Sequence, residues 1–109
     1  MPEKANRSSE HDIAFAAMKY LATIPNRSAT TADVKQHVPN FIALTADDLE
    51  ASETRPNEQV WQQVVGNIVS HRNDSPENFI NWGLIAYDSG VWTLTDAGVA
   101  HLKKVNAHP

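Results

Sequence analysis

The side chains best suited to chemistry are the amides that recur between Asn57 and Arg72. An amide carries a donor and an acceptor together, so it can pair bidentately with the edge of an adenine base. On a helical wheel these amides gather on one side with a serine and a glycine, and the glycine would let another surface approach closely. We call this set the amide face: Gln59, Gln62, Gln63, Gly66, Asn67 and Ser70. It fits a recognition surface, and it fits a neutral solvent-facing helix equally well.

The opposite side of the same stretch is apolar. Its members are Val60, Trp61, Val64, Val65 and Ile68. Their 3.6-residue period predicts a helix from Asn57 that packs on a core, with Glu58 in the first turn, where the helix dipole favours an anion. Arg55 and Arg72 flank the helix, where they could contact phosphates.

The charge distribution argues against indiscriminate binding to nucleic acid. Between Ser28 and Ala100 the chain has ten acidic and three basic residues, a balance of −7. Non-specific affinity for DNA comes mainly from Lys and Arg, which neutralise phosphates. Any contact with double-stranded DNA is therefore expected to be local.

The length of 109 residues predicts a single domain over residues 9–105, between disordered tails at residues 1–8 and 106–109. With no cysteine there is no disulfide framework, no thiolate metal site and no cysteine nucleophile. The N-terminal segment is polar, and no run approaches the ~18 apolar residues of a membrane span. We expect a cytoplasmic protein without membrane association.

Helix signals precede and follow the central stretch. Ser9 with Asp12 forms a capping box before an apolar stripe that runs to Ile24. Before the central stretch we expect a very short strand at Ser28–Ala29, a helix from Thr31 to His37 capped by Thr30, and a helical turn over 46–51 capped by Thr45. After it, Ser75-Pro76-Glu77 predicts one or two helical turns that pack Phe79, Ile80 and Trp82.

The pattern then changes to that of strands. Leu84–Tyr87 and Val91–Leu94 flank Asp88-Ser89-Gly90, the composition of a tight hairpin, and Thr95 caps a last helix from Asp96 to about Val105. The predicted fold class is α+β and mostly helical: a winged helix-turn-helix with three to five short helices, a two-stranded β-hairpin wing and a C-terminal helix.

Three groups of residues carry a resemblance to a known family. They are Thr54-Arg55-Pro56-Asn57-Glu58 with Trp61 and Asn67–His71, then Gly83-Leu84-Ile85, then the segment from Gly90 through Trp92 and Thr95 to Gly98. Over about residues 28–104 they resemble the winged-helix domain at the N-terminus of Mrr-type restriction proteins, and are similar to the winged-helix domains attached to some HNH endonucleases. The resemblance implies a DNA-binding accessory module of a restriction-like system, not the nuclease. Related domains often have Arg where this chain has Gly66, and its hairpin tip is acidic.

Catalytic and metal-binding patterns are missing from the sequence. No two of the five histidines have the i, i+4 spacing of helical ligands, and there is no glycine-rich phosphate loop and no Gly-x-Ser-x-Gly. Asp47, Asp48 and Glu50 are explained better by capping than by catalysis. We therefore expect no enzyme activity, no metal and no cofactor, and we expect Trp61, Trp82 and Trp92 to be structural residues.

Two functions remain open. The first is a DNA-binding module, in which the amides Gln59, Gln62, Gln63 and Asn67 contact base edges while Arg55 and Arg72 contact phosphates. The alternative is a protein–protein interaction module, with a protein partner or a homodimer and no nucleic acid. The resemblance and the amides favour the first, whereas the acidic balance favours the second.

Overall fold

Helices and an antiparallel sheet make up the chain in the order expected from its sequence. The computed structural model describes residues 8–53, 57–75 and 78–106. The elements are α1 (Glu10–Ala22), β1 (Ser28–Thr30), α2 (Thr31–His37), a 3₁₀ turn (Val38–Asn40), α3 (Val60–Ser70), β2 (Ile85–Asp88), β3 (Val91–Leu94) and α4 (Asp96–Asn106). The predicted α+β class is confirmed. None of these helices has the length and apolar character needed to cross a membrane.

Side-chain caps begin three of the helices where the sequence predicts them. At α1, the N–H of Asp12 donates to Ser9 Oγ and the N–H of Ser9 donates to Asp12 Oδ2, both at 3.0 Å. At α2, Thr30 Oγ1 accepts from the N–H of Asp33 at 3.2 Å. Thr95 plays the same part for α4. Each cap satisfies backbone donors that have no partner inside the helix.

The start of α3 differs from the prediction. The helix begins at Val60 and not at Asn57, because Asn57 has a φ of 69°, a left-handed conformation that cannot continue into an α-helix. Glu58 therefore precedes the helix and does not lie in its first turn. Its Oε2 accepts from Lys35 Nζ at 2.6 Å, which joins the segment before α3 to α2.

Asp48 organises the connection that leads into α3. The Thr45–Asp48 capping box is present, with N–H···O distances of 3.0 and 3.1 Å, but it closes a turn over 46–49 where a helical turn over 46–51 is predicted. The carbonyl of Asp48 then accepts from the N–H of Trp61 at 3.0 Å. Asp48 thus fixes where α3 begins.

The carboxylate of Asp48 is buried and also holds the start of the described chain. It accepts from the N–H of Ser8 at 2.8 Å and from Ser8 Oγ at 2.7 Å. Burial by itself would raise the pKa of Asp48, but the hydrogen bonds from Thr45 and Ser8 outweigh it and hold the pKa below its ordinary value. Residues 1–7 and 107–109, the remainder of the predicted tails, lie outside the described residues.

After α3, the segment predicted to be helical forms turns that end at Gly83. Residues 76–77 of that prediction lie outside the described residues. The organising side chain is Asn78, which is buried. Its Oδ1 accepts from the backbone N–H groups at positions 80 and 81, at 2.8 and 3.2 Å, and its Nδ2 donates to the carbonyl of Ile68 at 2.7 Å. These bonds hold the turns together and join them to the end of α3.

The hairpin is joined by a third strand. Ser89 and Gly90 have φ values of 50° and 85°, the two positive values of a type I′ turn, and link β2 to β3 as predicted. β1 pairs antiparallel with the other side of β3, which gives the sheet order β1-β3-β2. Ser28 lies opposite Thr93 with their hydroxyl oxygens 2.8 Å apart. The sheet is therefore three-stranded, one strand more than the predicted wing.

Two tryptophans lie in the core as predicted. Trp92 is fully buried on β3 and donates from Nε1 to Thr31 Oγ1 at 2.8 Å. Trp61 is 5% exposed, and its Nε1 donates to Gln59 Oε1 at 2.9 Å. Each buried indole N–H thus has an acceptor, as burial requires.

The third tryptophan contradicts the expectation of a structural core role. Trp82 is 48% exposed, with its ring 5.4 Å from Phe79 and 5.6 Å from His11. The next residue, Gly83, has a φ of 81° and redirects the chain toward the sheet. Because of this bend, Trp82 stays at the surface while Leu84 enters the core.

Gly98 explains how α4 sits against the sheet. A Cβ at this position would overlap the carbonyl oxygen of Leu84 and the Cδ1 of Leu94. Only glycine lets the helix backbone approach the hairpin so closely. Gly98, the last glycine of the Gly90–Gly98 segment, is therefore a packing residue.

Candidate functional site

The amide face lies on the outward side of α3, except for Gln59, which immediately precedes the helix as its N-cap. The helix contacts α1 and α2 through its apolar side, and its buried residues are Val60, Trp61, Val65 and Ile68. Ser70 is exposed and the rest of the amide face is half-buried. The helical wheel therefore separates the buried side of the helix from its outward side. Along the outward side, the residues differ in whether their side chains form hydrogen bonds within the chain.

At the N-terminal end of α3 the amides serve the helix. Gln59 Oε1 accepts from the indole N–H of Trp61 at 2.9 Å. Gln62 Oε1 accepts from the backbone N–H of Gln59 at 2.8 Å. Both oxygens satisfy donors at the helix start, which ties these two side chains to the structure of α3.

Gln63 is engaged by the segment that precedes the helix. Its Oε1 accepts from Ser52 Oγ at 2.6 Å. That segment is fixed by an antiparallel bridge between Ala51 and Gln59, and by the N–H of Ser52, which donates to the carbonyl of Glu58 at 2.8 Å. We call Gln59, Gln62 and Gln63 the covered half of the amide face. Bidentate pairing with adenine needs the amide oxygen as well as the NH₂ group, so all three would have to share an oxygen already in use.

The remainder of the amide face is open. Gly66 and Asn67 are half-buried and Ser70 is exposed. In the part of the chain that the structure describes, the side chains of Asn67 and Ser70 form no hydrogen bond. We call these three residues the open half. It offers an amide and a hydroxyl beside a glycine that leaves room for a close approach.

Arg72 has a structural role next to the open half. Its Nη1 donates to the carbonyl of Val69 at 2.7 Å, which satisfies an acceptor at the C-terminal end of α3. Its guanidinium carbon lies 5.1 Å from the ring centroid of Tyr87 on β2, a cation–π contact. Arg72 thus joins the end of α3 to the hairpin. Arg55, the other predicted phosphate contact, lies outside the described residues.

Charge surrounds α3 but is absent from the helix itself. From Gln59 to Ser70 the sequence has no acidic or basic residue, whereas the described residues together hold six Lys and Arg against eleven Asp and Glu, a balance of −5. Beyond the helix, Glu10 Oε2 lies 2.7 Å from His71 Nδ1. Asp88 at the hairpin tip accepts from Ser89 Oγ at 3.2 Å. The open half is thus a neutral strip in a chain whose described residues carry a net negative charge.

Residues 8–53, 57–75 and 78–106 offer little other chemistry. No group of three or more His, Asp or Glu side chains there could hold a metal ion. Tyr20 has its pKa raised by burial and by the nearby charge of Asp33, but its ring stacks on His37 at 4.4 Å and it belongs to the packing of α1 on α2. The amide face therefore remains the candidate site.

No family model, curated protein or solved structure matches this chain. Its function is therefore inferred from the geometry and chemistry of α3 and its neighbours.

Sequence reasoning misses two residues that shape this surface. Ser52 covers Gln63, and Tyr87 receives the Arg72 guanidinium. Both lie more than ten residues from their partners and belong to no motif. The alternation of buried and exposed positions along β2 is the one signal that could have placed Tyr87 beside the end of α3.

Proposed function

We propose that this chain is a winged-helix module that binds double-stranded DNA through the open half of α3, as an accessory or regulatory domain of a restriction-like or transcription-related system. The order of elements supports this, because a helical pair formed by α2 and α3 is followed by a hairpin and a closing helix. In helix-turn-helix proteins the second helix of such a pair enters the major groove. The resemblance to Mrr-type domains points to the same class.

The contact between Arg72 and Tyr87 carries the proposal. It links Arg72, two residues beyond α3, to Tyr87 of β2, so Asn67 and Ser70 lie near the end of the helix that this contact joins to the hairpin. A helix and a neighbouring hairpin can then contact the same stretch of duplex. The amide oxygens of the covered half already accept hydrogen bonds within the chain, so recognition is assigned to the C-terminal half of α3.

In this proposal each residue of the open half contributes to the contact with DNA. Asn67 pairs with an adenine edge through its oxygen and NH₂ group, Ser70 donates to a base or a phosphate, and Gly66 permits close approach. Arg55 and Arg72 are the cations nearest in sequence to the helix ends. With about two phosphates neutralised, log K should fall against log salt with a slope of about −2. The interaction is weak on random DNA and strongest at low salt.

A salt titration with a random ~20-base-pair duplex tests the proposal. We expect binding at ~50 mM salt with a slope of about −2, and a slope weaker by about 1 for Arg55→Gln. Asn67→Ala should weaken binding to a selected site by about 1 to 3 kcal/mol and leave random duplex nearly unchanged. Gln63→Ala is the matched control, because it removes an amide from the covered half of the same helix.

The second candidate function is a protein-interaction module, which the engaged amides and the negative charge favour. Three of the four amides use their oxygens internally, and the described residues carry a balance of −5. A wild-type chain that shows no salt-dependent binding at ~50 mM salt would favour this candidate. Asn67→Ala and Ser70→Ala should then weaken binding to the protein partner or self-association, and duplex DNA should not compete.

A further inference from the structure

A groove on the other side of the molecule joins apolar and cationic surface. It lies between the C-terminal end of α1 and α4, with a volume of about 370 Å³. Its lining residues are Ala22, Arg27, Val99, Leu102 and Lys103. Three are aliphatic and two carry a positive charge. Small-molecule sites have volumes of ~300 to 1,000 Å³ and combine an apolar lining with a few polar groups, and this groove meets both conditions.

Arg27 occupies its position at a conformational cost. Its φ of 57° lies in the left-handed region, which glycine and asparagine adopt far more readily than arginine. The turn is held by backbone bonds that any residue could make: the N–H of Arg27 donates to the carbonyl of Ile24 at 3.0 Å, and its own carbonyl accepts from the N–H of Leu94 at 2.9 Å. The turn does not need the guanidinium, and unfavourable backbone conformations of this kind cluster at functional positions.

The guanidinium retains capacity for an anion. Its Nη2 donates to Asp96 Oδ1 at 3.1 Å, and the side chain of Asp96 is 97% exposed, so solvent screens the pair strongly. Arginine has five N–H donors, which leaves several for another acceptor. Lys103 is exposed on α4 at the same groove. The two cations make this small apolar groove locally positive, whereas the whole chain has a net charge of −4.

We propose that this groove binds a small amphipathic carboxylate. The apolar tail lies against Val99, Leu102 and Ala22, and the carboxylate accepts hydrogen bonds from Arg27 and is neutralised by Lys103. A purely apolar ligand would make no polar contact with Arg27 or Lys103, and a small inorganic anion would leave the apolar lining exposed to water. Only a ligand with both parts complements the whole groove.

Titration of the full chain with octanoate, followed by amide NMR shifts, tests the proposal. We expect saturable binding with the largest shifts at Ala22, Val99 and Lys103. At equal concentration, 1-octanol, acetate and octylammonium should each bind at least about tenfold more weakly, because each lacks the charge, the tail or the correct sign. Equal binding of octanol and octanoate, or no saturation by ~10 mM octanoate, would overturn the proposal.

Substitutions distinguish binding in the groove from non-specific attraction of the carboxylate to positive charge. Arg27→Asn removes the charge but suits the left-handed turn, so the fold is kept and octanoate affinity should fall about tenfold or more. Lys103→Gln should also weaken binding, and Lys104→Gln is the matched control on the next residue, outside the groove. Asp96→Asn frees the guanidinium and should tighten binding. The proposal fails if Lys104→Gln weakens binding as much as Lys103→Gln does, or if sedimentation shows that a second copy of the chain already fills the groove.

Discussion

The hydroxyl of Ser52 donates a hydrogen bond to Oε1 of Gln63 at 2.6 Å, across the outward surface of α3. The two residues belong to different segments, one leading into the helix and one in its first turn. This bond engages the last amide of the covered half, beyond which Gly66, Asn67 and Ser70 form the open half. The boundary between the covered and open halves follows from it.

Gln63 is therefore expected to contribute to stability and not to recognition. Gln63→Ala removes the acceptor of a half-buried hydroxyl and should lower the free energy of unfolding by about 1 kcal/mol. Urea unfolding of Gln63→Ala, Ser52→Ala and the double variant measures the coupling between the two side chains. Fully additive effects of the two single substitutions would contradict the bond.

Trp61→Ala should be among the most destabilising single substitutions in the chain. The indole is 5% exposed and its removal leaves a cavity, so we expect a loss of about 3 to 5 kcal/mol. Trp82→Ala is the control, because it makes the same Trp-to-Ala change at a surface position. Since Trp82 is 48% exposed, the variant should lose less than about 1 kcal/mol of unfolding free energy. Denaturant unfolding of both variants checks the contrast, and similar losses would mean that one placement is wrong.

Asp48 should make stability depend on pH in the acid range. Its pKa in the folded chain lies below the ordinary value of 3.8, because hydrogen bonds from Thr45 and Ser8 outweigh the effect of burial. The unfolded state therefore binds the proton more readily, and the stabilisation is complete above that ordinary value and is lost as pH falls through the folded pKa.

The comparison with Asp48→Asn isolates this contribution. The variant should be about 2 kcal/mol less stable than wild type near pH 7, since charge-assisted hydrogen bonds are lost. The difference should close as pH falls below about 4. Urea unfolding between pH 2 and 7 gives both curves, and a difference that stays constant down to pH 2 would exclude this role of the carboxylate.

Gly66→Arg should raise affinity for duplex DNA of any sequence. The substitution adds a cation on the open half and should steepen the salt slope by about 0.9. Gly66→Gln is the matched control, because it adds a long side chain and helix propensity without charge. Binding measured across a salt series compares the two, and an equal gain for Gly66→Gln would show that charge is not the cause.

The sequence alone determined the parts that depend on neighbouring residues. The caps at Ser9, Thr30 and Thr95, the Ser89-Gly90 turn and the apolar side of α3 all use bonds or periodicities within a few positions. These local rules placed α1, α2, α4 and the hairpin. They also identified Trp61 and Trp92 as core residues.

The tertiary structure decided what depends on distant contacts. Glu58 lies before the helix and accepts a hydrogen bond from Lys35, and Asn78 joins the turns that follow α3 to the carbonyl of Ile68. β1 completes the sheet by pairing with a strand more than sixty residues away. Helical periodicity shows which side of α3 faces outward, but only tertiary contacts decide how much of that side stays open. Two such contacts are the hydrogen bond from Ser52 to Gln63 and the contact of Tyr87 with Arg72. Ser52 and Tyr87 both lie outside the helix, so its periodicity does not reveal them.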